Sequence, residues 1–422
     1  MTQLSAADRG SWSAARAALA EWSLLLAVAL ALPLAIAAPL GLAPLLLVAA
    51  AGVLVGGGWP RRVHRHFAFL TFLLGGFALW GLLSTLWSID PGRSASMAAR
   101  LALTFASGAL LVDRGLRLGA EGRRRVALAL VTGTGFGILV LLFETQTGQA
   151  LLTAGRELLG SRPANATMLN RAATVLALLL WPTGYALHRL GRPGLAAVLV
   201  LAGVSVLSLL ENTTAVLAAS LGLLVGASAL VLPRLTRWAV VAVAVTGILF
   251  STAAVSTLSG MEDLQLRIKP SAVHRLMIWR FTADRIGERP FLGWGLETAR
   301  ELPGGTKDFT FRTQIGDWTR QALPLHPHNA ALQVRVELGL IGVAFFAGLF
   351  VLLGLILGRV SRDGADRAGH AARLSLITAA LTVSMASYGA WQFWWLAAVA
   401  IAIAATVAVG LPEPREPDTS DP

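Results

Sequence analysis

Apolar segments long enough to cross a lipid bilayer recur along almost the whole chain. They fall near residues 22–38, 42–58, 67–87, 95–112, 126–143, 171–188, 194–210, 214–232, 238–257, 330–358, 371–389 and 391–409. A crossing helix needs roughly 20 predominantly apolar residues. Within hydrocarbon, only helices and closed barrels satisfy their own backbone hydrogen bonds. Composition agrees: 55% of residues are hydrophobic and 14% charged, against about 45–50% and about 25% in soluble domains. A disordered chain, a collagen, a coiled coil and an ordinary soluble enzyme are excluded. The expected fold class is all-α, a polytopic membrane protein of about twelve transmembrane helices.

Charge placement predicts orientation. The formal net charge is +12, and almost all of the positive charge is arginine. In a bilayer protein such an excess marks cytoplasmic loops rather than nucleic acid binding, and no nucleic acid partner is expected. Arg61, Arg62 and Arg65, then Arg114, Arg117 and Arg123 to Arg125, then Arg189 and Arg192, Arg234 and Arg237, and Arg359, Arg362, Arg367 and Arg373 occupy alternate loops. That side is read as the cytoplasm, with both termini on it. The first apolar run shows no small-residue cleavage site and is expected to stay as a span. Four regions follow: a nine-span region 1–257, a large periplasmic loop 258–328, a three-span region 329–410 and a disordered cytoplasmic tail 411–422. A helix is predicted from Ala272 to Ile286, ended by Pro290 and Gly293-Trp294-Gly295. The chain contains no cysteine, so thiolate chemistry and disulfides are excluded.

Histidine placement then narrows the chemistry. His64, His66, His188 and His370 lie in or beside arginine-rich loops, where an interfacial role is the plain reading. His274, His326 and His328 lie in the large outer loop. Pro327 pushes His326 toward extended geometry, and Asn329 is a favoured helix N-cap. His328 is therefore held at the membrane surface at a helix start, where an imidazole can act as general base. Arg335 and Glu337 follow in the same helix. They must face protein or water, or lie in an amphipathic start above the hydrocarbon. Arg100 is the best embedded cation in the first nine spans.

His328-Asn329, nine residues, Gly339, two residues and Gly342 match the histidine motif of bacterial O-antigen ligases and O-antigen polymerases, and the chain resembles that superfamily. Its topology, with one long outer loop between the ninth and tenth spans, is similar. Arg275, Trp279, Pro290, Gly293 and Gly295 resemble the loop motif of the same family, with Trp279 where ligases prefer Leu. Asn165, Asn170 and Arg171 form a looser third similarity. The resemblance implies a GT-C-like helical bundle in the bacterial inner membrane, with a helical periplasmic loop and an active site facing the periplasm.

It also implies a metal-independent, inverting glycosyltransferase without cofactor. The donor would be a glycan on undecaprenyl diphosphate and the acceptor the lipid A–core oligosaccharide, both met among membrane lipids. His328 would be the base. Arg275 and Arg171 would bind the diphosphate, since guanidinium forks suit phosphate and keep their charge. Arg280, Asn329, His326 and Trp294 are secondary candidates for contacts to the diphosphate or glycan. Arg280 stands about 140° around an ideal helix from Arg275. His326 and His328 form a His-x-His pair with Asp317 nearby, but no HExxH and no additional carboxylate at helical spacing accompanies them, so a catalytic zinc with three protein ligands and a water is not expected. Alternatives within the class are a polysaccharide polymerase and a protein O-oligosaccharyltransferase. Outside it stands a polysaccharide transporter or flippase, which the absence of internal repeats disfavours.

Overall fold

The computed structural model describes residues 6–57, 65–259, 269–360 and 366–410. The acidic tail after Leu411, expected to be disordered, and the cluster Arg61 to His64 lie outside the described residues. The chain is an all-α polytopic membrane protein. Its helices are α1 (Ala6–Ala37), α2 (Leu42–Val55), α3 (Arg65–Leu83), α4 (Pro91–Leu116), α5 (Ala120–Gln146), α6 (Ala150–Leu158), α7 (Asn170–Arg189) and α8 (Pro193–Ser208). They continue with α9 (Thr213–Val231), α10 (Pro233–Leu249), α11 (Ser251–Ser259), α12 (Pro270–Glu288), α13 (Ala330–Val360), α14 (Arg367–Ala386) and α15 (Phe393–Val409). Each expected span falls on a helix except the ninth, which falls on two. Among the described residues, six helices are long and apolar enough to cross a membrane by themselves, and three shorter helices are apolar.

Helix α7 runs through the centre. From Ala172 to Thr183 every residue is buried, and α7 packs against α1, α5, α8, α9, α14 and α15. A helix buried on all sides must be apolar all round, which fits the run from Ala172 to Leu180. The expected ninth span is broken: α10 ends at Leu249 and α11 begins at Ser251. The Arg335 guanidinium donates to the Leu249 carbonyl at 3.1 Å, satisfying a carbonyl that the break exposes.

The long segment between α11 and α13 contains the predicted helix, α12, extended slightly at both ends. It also contains a β-hairpin that the helical expectation omitted. Strand β1 (Asp308–Thr313) pairs antiparallel with β2 (Gly316–Gln321), with Phe311 opposite Trp318. The hairpin is anchored to α12 by His274, whose ring stacks on Phe311 at 5.7 Å and whose Nε2 meets the Gln321 carbonyl at 3.1 Å.

Helix α13 is interrupted at Gly339, which has φ 64° and ψ −159°. The break frees backbone groups two turns below His328, and the segment 290–297 takes them up. Trp294 N–H donates to Val336 O at 2.9 Å and Gly295 N–H to Glu337 O at 2.8 Å, while Leu340 N–H donates to Pro290 O and Phe291 O at 3.1 Å. The Trp80 indole N–H donates to Leu338 O at 3.0 Å. Irregular backbone at membrane depth persists only when protein satisfies it in this way. The motif glycines follow from the contact. A Cβ on Gly339 would lie 2.1 Å from the Phe291 oxygen, and one on Gly293 would lie 2.4 Å from the Glu337 carbonyl.

Candidate functional site

Three chain segments converge around the histidines: α12, the start of α13, and the loop 387–392 between α14 and α15. Asn329 caps α13, its Oδ1 accepting from Leu332 N–H at 3.1 Å. His328 precedes the cap with φ 56°, a left-handed conformation uncommon for a residue with a side chain. That turn aims the imidazole at the loop after α14, where His328 Nδ1 bonds the Ser387 carbonyl. A carbonyl only accepts, so Nδ1 carries the proton and Nε2 presents a lone pair. Burial pushes the His328 pKa down, the Ser387 carbonyl opposes this, and the Arg275 and His274 charges push it further down. The imidazole is neutral and basic at Nε2 near neutral pH.

Helix α12 holds the histidine segment from the other side. Trp279 donates its indole N–H to the Pro327 carbonyl, between the two histidines, at 2.7 Å. Arg275 lies one turn earlier on the same face and acts on both imidazoles. Burial lowers its own pKa, and the Tyr388 phenol counters this. Arg171, at the second position of α7, lies over the Trp394 ring at 5.6 Å and within electrostatic reach of Tyr388. Tyr388 is thus within electrostatic reach of both arginines. Its hydroxyl donates to the Asn170 carbonyl at 3.2 Å, and burial raises its pKa. Among the described residues, neither Arg171 nor Arg275 has a carboxylate within ion-pair distance. Two partly buried guanidiniums without a counter-charge, one at a helix N-terminus, make a place for an anion.

His326 is buried beside His328, with ring centres 4.3 Å apart. Its Nδ1 accepts from the His328 N–H at 3.2 Å, and its Nε2 meets the Gln392 amide at 3.1 Å. Burial is the main cause that pushes its pKa down to about 3, so it stays neutral and orients its neighbour. Gly389 lies against the ring, where a Cβ would be 3.0 Å away.

The other sequence candidates fall elsewhere. Arg280 is exposed, off the face that carries Arg275 and Trp279. Trp294, a secondary candidate for glycan contact, packs inward. It is 7% exposed, Arg289 covers its ring at 4.1 Å, and its N–H is bound to the Arg285 carbonyl at 2.9 Å. It wedges the 290–297 segment into the core. Glu337, left open between a surface and a buried role, is fully buried. It accepts from Glu297 N–H at 2.6 Å, Ala299 N–H at 3.3 Å, Gln333 at 3.0 Å and Trp391 at 2.6 Å. One carboxylate thus joins the outer loop, α13 and the 387–392 loop. Sequence reading passed over Ser387, Tyr388 and Gln392 because they lie some sixty residues beyond the motif. The one available signal was a Ser-Tyr-Gly step interrupting an apolar span.

Comparison with known proteins agrees with the motif. Residues 195–347 match the family model described as O-Antigen ligase, a stretch that includes Arg275, His328, Asn329, Gly339 and Gly342. A protein of Rickettsia bellii named as a candidate polysaccharide ligase is 28% identical over 328 residues, covering 76% of each chain. One of Rickettsia prowazekii, similarly named, is 26% identical over 345 residues, covering 76% of each chain. The resemblance read from the histidine motif is borne out: the chain is similar to the O-antigen ligase family over residues 195–347 and to proteins named as polysaccharide ligases over about three quarters of its length.

Proposed function

We propose that this protein is an O-antigen ligase. In this reading it moves a glycan from undecaprenyl diphosphate to the lipid A–core oligosaccharide at the periplasmic face of the inner membrane. The observation that supports the reading is a tautomer-fixed imidazole with Arg275 acting on it and Arg171 beside Trp394 and Tyr388, neither guanidinium having a carboxylate within ion-pair distance among the described residues. His328 Nε2 takes the proton from the acceptor hydroxyl as its oxygen attacks the anomeric carbon. The bond from that carbon to the diphosphate oxygen breaks, and its electron pair leaves with the diphosphate. Arg275 and Arg171 meet the growing negative charge, helped by the positive end of α7. Direct attack inverts the anomeric centre. No metal or cofactor enters this scheme.

The test is glycan transfer in a bacterial strain lacking its own ligase. Wild type is expected to restore the lipopolysaccharide ladder on a gel, and His328→Ala is expected not to. Equal ladders from both would remove His328 from the mechanism. No ladder from wild type, despite membrane expression, would move the assignment to polymerase.

A further inference from the structure

A cavity of about 510 Å³ opens beside the histidine pair, and neither Arg171, Arg275 nor His328 lines it. His326 does, together with Arg100, Arg300, Glu297, Trp391 and Gln392. The volume lies within the range of small-ligand sites. Its wall is rigid where it meets the histidine, because the Gln392 amide is held at one end by the Trp394 indole at 2.9 Å and meets His326 at the other.

The charges lining the cavity do not cancel. Arg93 is paired with Asp90 at 3.1 Å and Glu301 at 3.0 Å. Arg300 is paired with Glu297 at 3.1 Å. Arg100 has no carboxylate within ion-pair distance among the described residues, and its nearest aromatic contact is the Phe393 ring at 5.8 Å. Arg100 lies nine residues below the start of α4, about 13 Å along a helix. A cation at that depth is retained only where it faces water, protein or a ligand.

We propose that this cavity is the acceptor subsite, and that it takes a sugar bearing one anionic group, a phosphate or a carboxylate, against Arg100. The inference rests on the transferase reading. A base must stand between donor and acceptor. The cavity ends on His326, whose ring packs against that of His328 at 4.3 Å, so an acceptor seated there lies beside the base. Aromatic and amide groups beside a single unanswered cation suit a charged sugar and not a lipid tail.

The experiment uses purified full-length protein in detergent, with lipid A–core from a ligase-deficient strain as acceptor. That acceptor is used native, or stripped of phosphate with hydrofluoric acid. Arg100→Gln is expected to raise the acceptor KM tenfold or more while leaving the donor KM unchanged, with Arg100→Lys intermediate. If stripping raises the wild-type KM to the same degree, the anion is phosphate. If only the Arg100 substitutions raise it, the anion is a carboxylate. An unchanged acceptor KM, or an effect on the donor KM, overturns the proposal.

A binding readout separates this from failure of the transferase reading. The chain has no cysteine, so Ser96→Cys on the cavity wall gives a single thiol. Lipid A–core is expected to slow its labelling by a membrane-impermeant thiol reagent at least threefold, and undecaprenyl diphosphate is expected not to. Protection by the donor alone, or by neither, overturns the subsite whether or not transfer is detected.

Discussion

The δ-nitrogen of His328 is bound to the carbonyl of Ser387, at the end of a helix that the motif does not include. This bond decides which nitrogen can accept a proton. Substitution by Ala or Gln removes that nitrogen while the Asn329 cap still starts α13. Transfer is expected to fall roughly 10²–10⁴-fold, with membrane protein levels unchanged on an immunoblot. Retained activity in either variant would refute the general-base role.

The pH profile follows from the direction of the His328 shift. The neutral imidazole is the active form, and its pKa is held below the ordinary value of about 6.5. Activity is therefore expected to persist below pH 6.5 and to be lost as pH falls through the depressed pKa. Arg275 contributes to that depression. Its removal raises the pKa, so Arg275→Gln is expected to move the acid limb of the rate profile to higher pH. An acid limb that stays in place would contradict the coupling.

Arg171 and Arg275 are assigned to the donor side. Arg171→Ala and Arg275→Ala are expected to raise the donor KM and lower kcat, together costing at least 10²-fold in kcat/KM. Lysine at either position is expected to restore a minor share, because it supplies charge without the fork. Initial rates against donor concentration measure this. A pure acceptor effect would reassign them.

Gly339 carries a prediction about stability. Gly339→Ala would place a methyl group 2.1 Å from the Phe291 oxygen at a φ of 64°. Strain and overpacking together are expected to cost about 2–4 kcal/mol. The melting temperature of the detergent-solubilised protein is expected to drop, and an unchanged value would show that the break is not held by the 290–297 segment.

Glu337→Leu would leave the Glu297 and Ala299 amides and the Trp391 indole without their acceptor. Each buried donor so stranded costs about 1–3 kcal/mol. Glu337→Gln keeps the shape and is expected to retain more stability and more transfer than Glu337→Leu. Equal loss in thermal unfolding would argue that the carboxylate joins nothing of consequence.

Much of the architecture was legible because lipid demands long apolar runs, and each run is helical. The spacing from His328 to Gly339 and Gly342 was legible because backbone crossing there permits no side chain at Gly339. What escaped was set by contacts between distant segments. The hairpin 308–321 had an alternating Phe-Thr-Phe and Trp-Thr pattern around Gly316, but it was short and charged. Trp294 has its N–H partner nine residues back in the chain, a pairing that composition alone does not reveal. Ser387 acts through its backbone, which no side-chain motif records.

The break at Gly339 also separates two orientations. Residues 340–360 must tilt to suit the thickness of the bilayer, whereas residues 330–338 take their direction from the loop stitched to them. The aim of His328 is therefore insulated from hydrophobic mismatch. A straight helix would swing its His328 end whenever the lipid changed; the break at Gly339 lets residues 340–360 tilt while the stitched loop holds residues 330–338.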